Sequence, residues 1–440
     1  MTIKKQDIIV CGFALFAIFF GAGNLIFPPY LGVIAGDSWL TAALAFILSD
    51  PFFPILGVLV TISLGGRADD LGWRIHPNFA KTLSAIAILL IGPLFSVPRT
   101  GATTHEILVA SFFPESPQWV TSLIFFGITA YIAINPSKVV DAIGKYLTPA
   151  LLLILAVVSI AAIVNPPTAP VASQVDHIFS LSFKEGYQTM DALGAPLMAG
   201  IVVTDLTRRG YTKREDQVKA GRWVGLLAFV LLALVYGALT FAGAHVSAYF
   251  GPDHDRTLIL IEMVDMLLGS SGRLAMGICV ALACLTTAVG LTSVFASYFY
   301  GLVNKRISYA SLVIIAAVVE FTISLFGVNQ IINIAVPVLS AIYPIIMTLI
   351  LFSIFDKKIR YRETYIGAVI GAGLIGFIQA INLFGQMTSL NLLPHIAAFT
   401  YQLPFNQVAF EWLLPSLLLA AVFTLYAYWK KPEQHLISNH

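Results

Sequence analysis

Apolar runs recur from one end of the chain to the other, broken by short polar segments, and their spacing predicts twelve membrane-spanning helices. They lie near 8–35, 39–64, 80–110, 119–135, 139–164, 181–207, 221–246, 272–302, 308–326, 330–354, 363–383 and 405–429. A helix needs roughly 20 apolar residues to cross a bilayer, and each run reaches or approaches that length. Helices are expected because a backbone in hydrocarbon must satisfy its own hydrogen bonds. A closed barrel would instead show alternating segments of about ten residues, and that pattern does not occur.

Composition agrees. Apolar residues make up 58% of the 440 and charged residues 11%, with a mean hydropathy of +0.86. A soluble domain carries about 25% charged residues, so water-soluble enzymes, secreted disulfide scaffolds and disordered chains are excluded. Cys11, Cys279 and Cys284 fall inside apolar runs with no metal-ligand spacing and read as small core residues. A net charge of +2 gives no reason to expect a nucleic-acid partner. The start, Lys4-Lys5 before an apolar stretch, has the outline of a signal peptide, but the run continues to about residue 35 and reads as a retained first span.

The few charges set an orientation. With the N-terminus in the cytoplasm, 21 of the 25 basic residues fall on the inner side, leaving Arg99, Lys184, Arg256 and Arg273. Both basic termini share a side only if the span count is even, which supports twelve independently of hydropathy. The expected place is the inner cell membrane, with both termini cytoplasmic and lipid as the surrounding partner. The outer segments 250–271 and 384–404 are long enough for short surface helices or plain loops. One membrane domain accounts for residues 1–440.

Two spans are interrupted. The first contains Gly21-Ala22-Gly23-Asn24 and then Pro28-Pro29; the sixth contains Asp191-Ala192-Leu193-Gly194-Ala195-Pro196. Glycine weakens a helix and proline removes a backbone donor. One such break serves close helix packing as readily as function. Two breaks five spans apart, with Asn24 and Asp191 at them, point to a transporter's midplane site. Five is odd, so the halves (about 7–165 and 178–355) have opposite topology, and the last two helices (about 363–430) lie outside the repeat. Unwound backbone at such breaks presents N–H groups to a carboxylate and carbonyls to a cation.

The stretches FFGAGNLIFPP (19–29), GPLFSVPRT (92–100) and CLTTAVGLTS (284–293) closely resemble the bacterial branched-chain amino acid:cation symporters, over essentially the whole chain. The resemblance implies the leucine-transporter fold, a 5+5 inverted repeat with broken first and sixth helices. It also implies sodium-driven import of leucine, isoleucine and valine, with sodium as coupling ion and no organic cofactor. The substrate carboxylate would meet the N–H groups of Ala22 and Gly23 beside Asn24. A sodium ion would be held by the carbonyls of Ala17, Phe20 and Ala283 and the hydroxyls of Thr286 and Thr287. The last three share a helix face at i, i+3 and i+4; the plain alternative for the threonines is back-bonding to their own helix. Carbonyls from Asp191 through Ala192 and Leu193 to Gly194 are the expected acceptors for the amino group. Leu193, Leu94 and Phe95 are the positional candidates to surround the aliphatic side chain.

Asp50, Arg99, Glu106, Asp191 and Glu320 lie in or at the edges of apolar spans, where a charge costs about 2.5–3.5 kcal/mol at the helix centre, so each should face protein or water. Arg99 and Glu106, seven apart on one face, are expected to pair near the outer end. A proton relay through Asp50, Glu106 or Asp191 is the alternative use of these groups, and makes proton-coupled uptake of an amino acid or another small solute the runner-up function. No HExxH, GxSxG or phosphate loop occurs, so neither an enzyme nor an ATP-driven pump is expected. No repeat supplies the ring of a channel.

Overall fold

The computed structural model describes residues 3–135, 138–388, 398–400 and 402–430, and among these the chain is helical throughout without a strand. All twelve expected segments carry helices. By length and composition, seven helices among the described residues suffice to cross a membrane, and one bent pair makes an eighth. The chain is a multi-pass membrane protein. Of the expected surface helix in 384–404, residues 389–397 and 401 lie outside the described residues.

The first segment is two helices, α1 (Lys5–Phe19) and α2 (Ala22–Ala35). Pro28 and Pro29 do not interrupt it; both sit inside α2. There they leave the carbonyls of Asn24 and Leu25 without intrahelical donors, a loss that α2 tolerates. The break itself is confined to Phe20 and Gly21. The second segment is α3 (Trp39–Ile47) and α4 (Phe53–Leu64), joined by a wide turn in which buried Asp50 takes non-helical φ −145°, ψ 112°. The third is α5 (Pro77–Leu89) and α6 (Ser96–Thr104), with Gly92 non-helical between them, followed by a wide turn at His105–Ala110. Next come α7 (Gln118–Ile134) and α8 (Lys138–Val164).

The second half opens on α9 (Ile178–Glu185) and α10 (Asp191–Arg208), which meet at a 46° bend. The interruption expected at 191–196 is therefore displaced. A single tight turn, Gly186–Thr189, and Met190 at φ 65° make the break. Pro196 lies inside α10, where helix geometry survives the loss of one hydrogen bond to Ala192. Then follow α11 (Arg214–Ala244), α12 (Arg256–Leu302), α13 (Tyr309–Ser324) and α14 (Val328–Ile354). The eighth segment starts earlier than expected. Residues from Arg256 are already helical up to Gly269, whose non-helical φ 70°, ψ −174° kinks the run, so 250–271 carries a short helix of its own that joins the span through that kink.

The last pair, α15 (Arg362–Met387) and α16 (Leu413–Lys430), packs through glycine. A Cβ on Gly367 would stand 2.3 Å from the Leu419 carbonyl oxygen, and one on Gly371 2.4 Å from that of Pro415. Small residues let membrane helices approach backbone to backbone where hydrophobic burial offers little driving force. The same device joins α2 to α11. The Cβ position of Gly32 lies 2.0 Å from the Thr240 oxygen, and that of Gly243 lies 2.1 Å from the Pro29 oxygen. This contact holds the second half of the broken first helix against α11, so the break keeps its place in the bundle. The three cysteines are buried and free, as expected.

Candidate transport site

A cavity of about 270 Å³ lies where the two broken helices meet. It is lined by Ala17, Phe20, Gly21, Gly23 and Asn24 of the first break, Thr189, Met190, Asp191 and Gly194 of the second, and Ala283, Thr286 and Thr287 of α12. Residues more than 250 positions apart in sequence thus share one chamber.

Local folding explains what each break offers. Gly21 is extended (φ −103°, ψ −172°) and leads into α2 with no side-chain cap. The leading N–H groups of Ala22, Gly23 and Asn24 thus have no intrahelical partner. On the other side, the Gly21 N–H turns back to the Phe19 oxygen rather than reaching Ala17. The Ala17 carbonyl loses its i+4 donor in this way. Across the chamber the Thr286 hydroxyl donates to the Ala283 oxygen at 2.9 Å, a local back-bond within its own helix. Thr287 comes close to the break, its methyl carbon 4.0 Å from where a Gly21 Cβ would lie. All five residues matched to the cation pattern therefore line a single cavity.

The amino-group side differs from expectation. Asp191 to Gly194 form the first turn of α10, and the N–H groups of Leu193 and Gly194 bond to the Met190 oxygen at 3.1 and 3.3 Å. These residues are not an unwound run of carbonyls. What faces the cavity is the Asp191 side chain, and Pro196 leaves the Ala192 carbonyl without an intrahelical donor. Leu193 turns away, into a small crevice with Leu83, Ala87 and Ile346. Leu94 and Phe95 do not line the cavity either. Its apolar wall comes from Ile91, one helical turn before the expected positions on the third span, from Met198 further along α10, and from Leu151, Leu291 and Val294 on α8 and α12.

Polar side chains tie the breaks together. Asn24 Nδ2 donates to Asp50 Oδ2 (3.1 Å), Asp191 Oδ2 (2.9 Å) and the Tyr236 hydroxyl. An amide has only two N–H bonds, so three oxygens compete for them. Asn24, Asp50 and Tyr236 are each 2% exposed or less. Asp50 is visible in the sequence as an intramembrane acid, though not as part of this site; Tyr236 carries no signal, being one aromatic in a long apolar run.

The expected Arg99–Glu106 pair does not form. Seven residues put the two on one face but roughly 10 Å apart along the axis, and each finds a nearer partner. Glu106 accepts from the Val328 N–H (2.9 Å) and the Thr257 hydroxyl. Arg99 turns into the cavity and donates to the Gln188 oxygen at 2.7 Å. Glu320, fully buried, accepts from the Thr292 hydroxyl at 3.0 Å, away from the cavity.

The two ends of the chamber differ. On the α2 side, Arg256 pairs with Glu185, the last residue of α9, at 2.9 Å and lies 4.3 Å above the Tyr30 ring and 5.9 Å from that of Phe27. The opposite side leads past Ile18 and Ile201 to a second cavity of about 700 Å³ reaching Arg67 and Arg208.

The profile of the family described as "Branched-chain amino acid transport protein" matches residues 4–430. The chain belongs to that family. Among family relatives, the branched-chain amino acid permease BraB of Bacillus subtilis (strain 168) is 35% identical over 431 residues, covering 96% of this chain and 95% of the permease. The permease BrnQ of Escherichia coli (strain K12) is 33% identical over 428 residues, covering 96% and 95%. Family membership excludes an enzyme reading, since these relatives are permeases. Solved structures resemble the chain in fold. The inward-facing conformation of Mhp1 matches with a TM-score of 0.62 at 13% identity, covering 96% of this chain and 91% of that one. MhsT in complex with L-phenylalanine matches with 0.56 at 16% identity, covering 97% and 98%. The chain therefore has the leucine-transporter-like fold that the resemblance implies.

Proposed function

We propose that the protein is a secondary active symporter that carries leucine, isoleucine or valine into the cell together with sodium. The observation that carries this reading is the meeting of both helix breaks in one cavity with an apolar wall and neutral oxygens. The N-terminus of α2 offers N–H groups and a positive dipole end to a carboxylate. Asp191 accepts an ammonium, and the apolar wall takes an aliphatic side chain. Ala17, Phe20, Ala283, Thr286 and Thr287 supply five neutral oxygens, a set that suits a hard monovalent ion that must also leave.

The excess of Lys and Arg on one face supports an inner-membrane protein with cytoplasmic termini. In that orientation the larger cavity is a cytoplasmic vestibule and the Arg256–Glu185 pair closes the outside. Alternating access rocks the spans carrying α1–α4 and α9–α11 against those carrying α5–α7, α12 and α13.

Thr287→Ala tests the ion site. The half-saturating sodium concentration for leucine uptake should rise roughly tenfold, corresponding to about 1.4 kcal/mol of lost ion binding. An unchanged sodium dependence in reconstituted vesicles would remove Thr287 from the site.

One observation favours a second reading, proton-coupled uptake on the same scaffold. Asp50 and Asp191 both accept from the same amide nitrogen of Asn24, which brings two carboxyl groups together at the first break. This reading requires uptake that follows a pH gradient in sodium-free medium.

A further inference from the structure

Arg99 is the one basic side chain among the described residues that line the cavity, and Asp191 is the one acidic. Arg99 is 2% exposed. Nη1 is spent on the Gln188 oxygen at 2.7 Å, which places a cation at the C-terminal end of the outer half-helix. That contact uses one of five N–H bonds. Nε has no hydrogen-bond partner. Nη2 lies against the first turn of α2, only 2.6 Å from the Cβ position of Gly23, while the Phe27 ring supports the group with its centroid 5.5 Å from Cζ. A buried guanidinium with a free edge therefore converges with the open N–H groups of α2 on the same side of the chamber. Two positive features brought together in a low-dielectric cavity, with N–H bonds unspent, describe an anion site.

We propose that Arg99 is the carboxylate-binding residue of the transport site, holding the substrate's α-carboxylate between its free edge and the N–H groups of Ala22 and Gly23. The proposal rests on the amino-acid reading above and adds to it the residue that makes the site demand a zwitterion. Arg99 faces the carboxylate, and Asp191, which accepts from Asn24 in the same first turn of α2, faces the ammonium, so a zwitterion brings each charge to its opposite. Leucine fits both; leucinamide and 3-methylbutylamine carry the ammonium and the side chain but leave Arg99 unanswered. A polar group built to be satisfied by the substrate rejects analogues that lack the partner far more strongly than an apolar pocket rejects a misfit.

The test is competition against labelled leucine in liposomes holding the purified full chain. For the wild type, leucinamide and 3-methylbutylamine should need roughly 100-fold higher concentration than leucine. Arg99→Gln should raise the half-saturating leucine concentration by about 100-fold and bring the leucine-to-leucinamide ratio to near unity. Arg99→Lys keeps the charge but not the planar fork, and should recover about a tenth of the lost affinity with a reduced ratio. A role confined to bracing Gln188 and Asp191 would leave that ratio at its wild-type value in both variants, and this result would overturn the proposal. If Arg99→Gln yields no monodisperse protein, the ratio in Arg99→Lys alone decides. Wild-type protein that handles leucine no better than leucinamide also overturns it. Failure of the wild type to take up leucine at all instead removes the underlying amino-acid reading.

Discussion

Gly23→Leu is expected to abolish leucine binding and uptake while leaving the protein folded. Position 23 lies at the point where three things meet: the opening turn of α2, the Arg99 guanidinium and the cavity. A single Cβ there would sit 2.6 Å from Nη2 and 3.2 Å from both Cζ of Arg99 and Cε2 of Phe27. The arginine end is flexible enough to be displaced by one methyl. A leucine side chain has three more carbons, and the only space open to them is the substrate's. Losing charge-assisted hydrogen bonds to a carboxylate costs about 1.5–3 kcal/mol, and occlusion adds to that, so affinity should fall by roughly 100-fold or more. The residue remains helical with ordinary dihedral angles, so size-exclusion behaviour and thermal stability should stay near wild type. The check is leucine-dependent thermal stabilisation in detergent beside uptake in liposomes. Wild-type leucine affinity in a folded Gly23→Leu protein would place the substrate elsewhere.

The second large effect concerns the fold. Gly32→Ala places a methyl 2.0 Å from the Thr240 oxygen and 2.7 Å from the Ala244 nitrogen, both backbone atoms of α11. No rotamer can relieve contacts with backbone, so the helices must separate. Overpacking typically costs about 1–3 kcal/mol, and the rigid partner puts this case at or above the upper end. The facing Gly243 is equally close to Pro29, so the whole α2–α11 seam would open. Expected results are a severalfold loss of monodisperse protein and a clear drop in the thermal midpoint. Gly237→Ala is the control, a glycine-to-alanine change on the partner helix α11. Nothing lies within 4 Å of its Cβ position, and helix propensity alone favours alanine by about 0.5–1 kcal/mol. Equal stability of the two variants would contradict close backbone packing as what fixes α2.

Much of the fold is legible in the amino-acid sequence. Apolar runs mark all twelve helical segments because lipid allows a spanning backbone few alternatives. Glycine, asparagine and aspartate in two spans mark the breaks to within a few residues. The exact points are not legible, since proline misleads in both cases. Pro28, Pro29 and Pro196 all sit inside helices, whereas Met190, which carries no breaker signature, takes the left-handed backbone at the second break. Proline's cost depends on whether the freed carbonyl finds a partner or a cavity, and tertiary surroundings decide that. The residues proposed for a cation, on the first and eighth spans, can be matched because a motif fixes their spacing. The side chains that close the site cannot. Arg99 and Glu106 look like partners at helical spacing, yet each is claimed by a residue far away in sequence, Gln188 and Val328. Asp50 and Tyr236 reach Asn24 from two other helices, and nothing local to either announces it. Leu193 adjoins the break but lies on the helix face turned from the cavity.

The most direct measurement is uptake of labelled leucine, isoleucine and valine into liposomes containing only the purified protein, under imposed sodium or proton gradients. The account predicts accumulation above the equilibrium level with an inward sodium gradient, collapsing when sodium is equal on both sides. Accumulation driven by a pH gradient without sodium would move the coupling from the threonine-lined site to the Asp50–Asp191 pair. No accumulation of any of the three under either gradient would contradict it.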